Sequence, residues 1–223
     1  MIKQTAERLF GVGTRPAAIL LTHAHGDHSG SALELARSWD LPVYVHPDEL
    51  PLAAGNYLPE YGDPIGRWLI EPLMRLMARR RGRMEAKASI TEAVQAFNPE
   101  AGVPGLPDWE CIPTPGHTPG HVAFFRPSDR VLITGDAVLT LNFNSLWDLL
   151  RIKQRVSGSP WISTWSWPTA RASVAALARL EPQVLAPGHG TPMADAAMAS
   201  ELRALAESLN ARARQREMPP AKE

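Results

Sequence analysis

Cysteine, long apolar runs and an excess of charge of either sign are all missing from this sequence. Its 223 residues contain one cysteine, Cys111, so no disulfide can form within the chain and a disulfide-stapled secreted domain is excluded. No stretch of about 18 apolar residues is present, and Met1 to Thr5 lack the apolar core of a signal peptide. These absences predict a cytoplasmic protein that does not associate with a membrane.

The formal charges balance. Lysine plus arginine and aspartate plus glutamate each number 23, so no global field would attract nucleic acid or an anionic membrane surface. The partner we expect is a small-molecule substrate. The sequence also lacks a glycine-rich phosphate loop and a serine with a free histidine nearby. With 44% hydrophobic residues, the length suits one sizeable core, which predicts a single domain over residues 1–223.

A cluster of metal-ligand side chains follows the apolar run 17–21, which predicts a buried strand. The cluster comprises His23, His25, Asp27 and His28. Imidazole nitrogens and carboxylate oxygens are ligands that divalent zinc, iron and manganese accept. His23 and His25 can reach one ion from an extended segment, whereas Asp27 and His28 point elsewhere. The cluster therefore suggests a site for two ions.

Four apolar segments predict strands that each end two to four residues before a histidine or an aspartate. They are residues 17–21, 110–113, 131–134 and 183–186. We expect the ligands to gather at one edge of the sheet. Further elements are predicted as helices at 5–11, 29–39, 168–181 and 194–214, and as a strand at 41–46 that pairs in parallel with 17–21.

These pieces resemble the metallo-β-lactamase-fold hydrolases. That family's signature is His-x-His-x-Asp-His, followed by a lone histidine, an aspartate and a final histidine. The later positions are filled by His117 in Thr-Pro-Gly-His-Thr-Pro-Gly-His, Asp136 in Thr-Gly-Asp-Ala and His189 in Pro-Gly-His-Gly. The resemblance runs from about residue 17 to residue 193. It implies an α/β fold of the metallo-β-lactamase type, an αββα sandwich.

The resemblance also implies a site for two Zn²⁺ ions per chain, with iron or manganese as other metals it could accept. One ion would be held by His23, His25 and His117, the other by Asp27, His28 and His189, and Asp136 would bridge them. Asp27 would in addition act in catalysis by orienting a metal-bridging hydroxide. The implied activity is metal-dependent hydrolysis of an ester, thioester or lactone carbonyl.

Two other histidines are predicted to lie outside the ligand set. His121 begins a strand four residues after His117, and we expect it to support the site through a ring nitrogen rather than to bind an ion. His46 ends the strand that follows the first motif, and a structural role is expected for it.

The segment 141–167 follows Asp136 and should lie over the metal edge. It carries Trp147, Trp161 and Trp165, which are predicted either to form an apolar wall of a substrate pocket or to anchor the loop by packing. Residues 47–108 are predicted to be a variable insertion with a helix at 65–80. The arginine run at 75–83 is interpreted as a solvated helix face.

Single residues and the chain length count against three subfamilies of this family. Asp136 counts against a β-lactamase because those members lack the bridging aspartate. No tyrosine follows Asp136 closely, which counts against a homoserine lactonase. The 34 residues after His189 leave no room for the helical domain that binds glutathione in glyoxalase II. A generic ester, thioester or lactone hydrolase is therefore favoured.

Two alternatives stay open. An iron-dependent persulfide dioxygenase-like oxidoreductase uses the same first motif with fewer ligands. A truncated, non-catalytic member of the fold is the second alternative, because the family places several strands before the first motif and only 22 residues precede His23. An incomplete first sheet would leave an exposed edge, through which the chain could self-associate. We therefore expect a sandwich that is incomplete at its N-terminus.

Overall fold

The computed structural model describes residues 1–54, 92–151 and 153–217. The predicted helix at 65–80 and the arginine run at 75–83 lie outside these ranges. The strands are β1 (Ile19–Leu20), β2 (Val43–Val45), β3 (Val94–Ala96), β4 (Glu110–Pro113), β5 (Val122–Arg126), β6 (Val131–Gly135), β7 (Val138–Leu141), β8 (Gln154–Gly158) and β9 (Val184–Pro187). The helices are α1 (Ile2–Phe10), α2 (Gly26–Ser29), α3 (Ala32–Trp39), α4 (Leu50–Ala53), α5 (Leu146–Leu150), α6 (Trp167–Arg179) and α7 (Ala196–Glu217).

The strands form two main sheets and a hairpin. In the first sheet, β1, β2 and β3 run parallel in that order, and Ile19 of β1 pairs with Val43 of β2. This confirms the predicted parallel pair. The second sheet has the order β4-β5-β6-β9, antiparallel except for the parallel pair β6 and β9. The hairpin is formed by β7 and β8.

Three apolar clusters define four layers. The outer face of the first sheet packs Val43 and Val45 against Ala32 and Ala36 of α3. Between the two sheets lies a second cluster, which includes Leu20, Phe97, Val122 and Phe124. The outer face of the second sheet is covered by α6 and α7 through Val174, Leu177, Met198 and Leu202. The layers are thus helix, sheet, sheet and helix, as the predicted αββα sandwich requires.

Strand β5 shows why this fold follows from the sequence. Its residues Val122 to Phe125 are all buried, with no polar residue alternating between them. A strand that is covered on both faces has no solvent side, so it can be apolar throughout. Ala123 and Phe125 contact the helical side, while Val122 and Phe124 contact the other sheet.

The first residues pack loosely on the rest of the chain. No residue of α1 is buried, and β1 pairs with β2 alone among the described strands. Neither observation tests the predicted incompleteness of the sandwich at its N-terminus, which stays a prediction. Within the described ranges, no helix is long and apolar enough to cross a membrane.

Candidate metal centre

All seven predicted ligands meet at one edge of the sandwich. Strand β1 ends three residues before His23 and β6 ends immediately before Asp136, while β4 and β9 lead into the turns that carry His117 and His189. Short connections from buried strands leave these side chains little freedom, because the strand ends are fixed by the sheets. The convergence that the four strand ends predict is therefore present.

We call His23, His25 and His117 the buried triad. Their ligand atoms lie within 4.8 Å of one another, and His25 Nδ1 is 2.9 Å from His117 Nε2. Burial, reinforced by the neighbouring histidines, lowers the pKa of His23 and of His117 well below the usual value, and burial lowers the pKa of His25. The three rings are therefore held neutral, which is the form that binds a metal ion.

We call Asp27, His28 and His189 the exposed triad. Its ligand atoms also lie within 4.8 Å of one another, with His189 Nε2 3.1 Å from Asp27 Oδ2. Burial would raise the pKa of Asp27, but the histidines around it and its backbone hydrogen bond outweigh burial and lower it. For His28 burial has the opposite effect and would lower the pKa, but contact with the Asp136 carboxylate outweighs burial and raises it. This triad thus combines a carboxylate with two imidazoles.

Asp136 lies between the two triads. Its Oδ2 is 3.5 Å from His117 Nε2 of the buried triad and 3.5 Å from His189 Nε2 of the exposed triad. Its Oδ1 is 3.4 Å from His28 Nε2. One carboxylate that faces both groups could therefore contact an ion in each.

Unsatisfied polar atoms test whether a metal fits here. The buried atoms without a hydrogen-bond partner in the described part of the chain are His23 Nε2, His28 Nε2, His117 Nδ1 and Asp136 Oδ1. Leaving such atoms unpaired costs about 1–3 kcal/mol each. Metal binding could remove that cost for three of the four residues, since His23, His28 and Asp136 belong to one group of candidate ligands. The donors, imidazole and carboxylate, suit zinc or iron.

His121 holds Asp136 in place. The backbone N–H of Asp136 donates to His121 Nε2 at 3.0 Å, so Nδ1 carries the ring proton and points it at the Thr114 hydroxyl, 2.7 Å away. Burial lowers the pKa of His121 to about 3, which keeps the ring neutral. The structure thus places His121 beside Asp136, and its supporting role stays a prediction.

Sequence comparison assigns the family. The model of the Metallo-beta-lactamase superfamily matches residues 13–189. The chain belongs to this superfamily. It is 40% identical over 212 residues to the Probable metallo-hydrolase YflN of Bacillus subtilis, a match that covers 94% of this chain and 78% of that protein. It is 28% identical over 122 residues to the Hydroxyacylglutathione hydrolase GloC of Haemophilus influenzae, covering 54% of this chain and 49% of that one. These superfamily relatives support a hydrolase.

Solved structures of the superfamily agree with the fold. The structure named TTHA1623 in a di-iron-bound form superposes with a TM-score of 0.56 at 27% identity, covering 87% of this chain and 80% of that one. The BLEG-1 B3 metallo-beta-lactamase superposes with a TM-score of 0.52 at 23% identity, covering 85% and 77%. The latter likeness shows the shared fold alone.

A buried carboxylate that the sequence does not single out ties the superfamily motif to the turn that carries His117. Glu49 is fully buried and accepts three hydrogen bonds, from the Ala24 N–H at 2.8 Å, the Gly120 N–H at 2.9 Å and the Thr118 hydroxyl at 2.5 Å. Burial raises the pKa of the Glu49 carboxyl, while these three donated hydrogen bonds favour its ionised form and act against that shift. Only its place just after β2, near other strand ends, hints at this role.

His46 caps a turn beside the second strand. Its Nδ1 accepts from the backbone N–H of Asp48 at 3.2 Å, at the start of a 3₁₀ turn over Pro47–Glu49. It belongs to none of the ligand groups found in the described residues. The turn it caps presents Glu49 to the metal site.

A cleft of about 360 Å³ opens onto the two triads. Besides five ligands and Gly26, its lining contains Phe143, Pro160 and Ser163, all from the segment predicted to cover the metal edge. Trp147, Trp161 and Trp165 are not among its lining residues. Trp147 is 70% exposed, and the Trp165 N–H donates to the His117 carbonyl at 3.2 Å. The apolar side of the cleft is thus formed by Phe143 and Pro160.

Gly188 is required by the closeness of this packing. A Cβ at that position would meet Asp136 Oδ1 and, at 2.7 Å, His28 Cε1. Any larger residue would have to displace Asp136 and His28. The glycine in Pro-Gly-His-Gly therefore allows β9 to bring His189 up to Asp136.

Proposed function

We propose that this chain is a dinuclear metal-dependent hydrolase that acts on an ester, thioester or lactone, with Zn²⁺ as the metal in both positions. One observation carries the proposal: two groups of three ligands lie side by side with the Asp136 carboxylate between them. A third group, His23, His28 and Asp136, draws on both triads, but a single ion held there would leave the other four ligands unused. Membership of a superfamily that contains named hydrolases gives the reaction class.

The residues around the cleft have different roles in the proposed hydrolysis. Bound dications would lower the pKa of a water between them and polarise the carbonyl under attack. Asp27 is kept ionised by its neighbours, and its side chain is 57% exposed. It can therefore accept a hydrogen bond from the attacking water while it helps to hold the second metal. His121 and Glu49 fix the backbone that carries the ligands.

The cleft itself favours a water-based mechanism. Ser163 is the serine in its lining, and no hydrogen bond joins its hydroxyl to a histidine within the described ranges. A serine nucleophile needs such a base. Phe143 and Pro160 provide apolar surface for the acyl part of a substrate, and the open side would let the leaving group depart.

Iron is the main competitor for zinc. The relative TTHA1623 has been crystallised in a di-iron-bound form, and histidine with carboxylate suits both metals. Iron bound at this centre would also support the alternative of an iron-dependent persulfide dioxygenase-like oxidoreductase. The complete exposed triad counts against that alternative, because that chemistry uses fewer ligands.

Hydrolysis by the metal-loaded and the chelator-treated protein tests the proposal. The substrates are 4-nitrophenyl acetate, a hydroxyacylglutathione thioester and a simple lactone, assayed beside oxygen uptake with glutathione persulfide. We expect cleavage of at least one of the three acyl substrates, its loss on chelation and its recovery with Zn²⁺. Oxygen uptake without acyl hydrolysis would instead support the oxidoreductase.

A further inference from the structure

A second and larger cavity lies beside the metal cleft. Its volume is about 790 Å³, and it is bounded by β8, α6, α7 and the turns at 142–144 and 161. None of its lining residues lines the metal cleft. The two spaces do adjoin, because Phe143 and Pro160 face the metals while their chain neighbours Asn142, Asn144 and Trp161 face the second cavity.

The charge of this cavity is one-sided. Three elements each contribute an arginine to its lining, Arg155 from β8, Arg171 from α6 and Arg212 from α7. No lining residue is acidic, although the chain as a whole is neutral. Arg155 is partly compensated, since its guanidinium lies 3.5 Å from Asp148. Arg171 and Arg212 form no ion pair among the side chains that the structure describes, which leave out residues 146, 149 and 214–217.

Aromatic surface lies next to these cations. Trp167 is one helical turn before Arg171 on α6, so the two side chains share a face. Trp161 also lines the cavity and remains 49% exposed. An indole face can stack on a planar group, and a guanidinium can pair with a carboxylate, sulfonate or phosphate. Leu205 and Leu209 of α7 complete an apolar floor.

We propose that this cavity binds a small organic anion that carries an aromatic ring. Arg171 and Arg212 pair with the anionic group, and Trp161 and Trp167 pack against the ring. Both parts of the ligand are needed, because the cavity presents cations and aromatic surface side by side. This is a binding site separate from the proposed metal centre, and it does not depend on the proposed hydrolysis.

Calorimetric titration of the metal-loaded protein with 1-naphthalenesulfonate tests the proposal. The neutral 1-naphthalenemethanol is the matched probe without charge. We expect the sulfonate to bind at least about tenfold more tightly than the alcohol, a difference of about 1.4 kcal/mol. The Arg171→Gln/Arg212→Gln double variant should lose that difference, with sulfonate affinity reduced at least about tenfold.

The matched control is Arg179→Gln/Arg203→Gln, which removes one arginine from each of the same two helices outside the cavity. It should bind the sulfonate as the unaltered chain does. If the double glutamine variant unfolds more easily, Arg171→Lys/Arg212→Lys replaces it, and binding should then be retained in part. Absent binding to the unaltered chain, equal affinity for both probes, or equal loss in the control would each overturn the proposal.

Discussion

The buried and exposed triads use similar ligands in different surroundings. In the buried triad, the side chain of His117 is 1% exposed and all three residues are histidines with lowered pKa values. In the exposed triad, the side chains of Asp27 and His189 are 57% and 31% exposed. The buried triad is therefore ordered by the core before any ion arrives, whereas the exposed triad faces solvent and substrate.

This difference assigns distinct parts to the two triads. A preformed set of neutral ligands loses little conformational entropy on binding an ion, so the buried triad should bind metal more tightly. The exposed triad faces the cleft, so an ion held there would lie within reach of a substrate. Asp136 couples the two, and so its loss should be felt by both.

The largest expected effect is from removal of the two aspartates. Asp27→Ala and Asp136→Ala should each lower hydrolysis by at least about a thousandfold, about 4 kcal/mol of barrier. Asp136→Ala should also weaken metal binding at both triads, whereas Asp27→Ala should affect only the exposed one. His46→Ala, the control, should stay within about tenfold. Equal losses in all three variants would contradict the division between ligands and structural residues.

Glu49→Gln is expected to weaken the metal centre without touching a ligand. The amide NH₂ would face groups that already donate, which leaves a buried donor unpaired at a cost of about 1–3 kcal/mol. Metal affinity of the buried triad, measured by chelator competition, should fall by about 10- to 100-fold. The control is Glu201→Gln, in which the amide oxygen can still accept the hydrogen bond from the Val156 N–H. Unchanged affinity in Glu49→Gln would remove Glu49 from the site.

The metal-free protein should lose stability as the pH falls below about 6.5. His121 has a folded pKa of about 3 and an unfolded value of about 6.5, so protons bind preferentially to the unfolded chain in this window. The buried triad acts in the same direction. His28 acts in the opposite direction, because its pKa is raised.

Each histidine with a lowered pKa changes the free energy of unfolding by up to about 1.4 kcal/mol per pH unit. Urea midpoints of chelator-treated protein should therefore be lower at pH 5.5 than at pH 7.5. An unchanged midpoint would mean that the buried rings are already protonated or solvated.

The smallest expected effect concerns the edge of the first sheet. Strand β1 has no partner on its outer side among the described strands, and open edges favour pairing between chains. Sedimentation velocity should show an apparent mass that rises with protein concentration. Ile19→Lys should reduce the rise, because a charge at an edge disfavours pairing. A concentration-independent monomer would contradict this prediction.

Much of the fold and most of the candidate site could be predicted from the sequence. The ligands follow apolar strands at short intervals, so local pattern was enough to place His23, Asp136 and His189 at one edge. Strands β7 and β8 were not predicted. β8 begins with Gln154 and Arg155, and its buried end packs mainly against α7 and β7.

Long-range contacts explain the remaining gaps. Glu49 meets Thr118 from 69 residues away, and nothing in the local pattern signals that contact. The sequence predicts that the tryptophans lie near the metal edge, because the segment 141–167 follows Asp136. Which cavity each ring lines depends on the turns at 142–144 and 161–163. Phe143 and Pro160 consequently line the cleft, and Trp161 lines the second cavity.

The metal content of the purified chain and of His189→Ala tests the central claim most directly. Protein prepared without chelator should contain about two ions, since two triads are present. His189→Ala should retain about one ion, because the buried triad stays intact. The remaining ion should resist chelator longer than the ion that is lost. A ratio near one in the unaltered chain, with no change in His189→Ala, would contradict the dinuclear account.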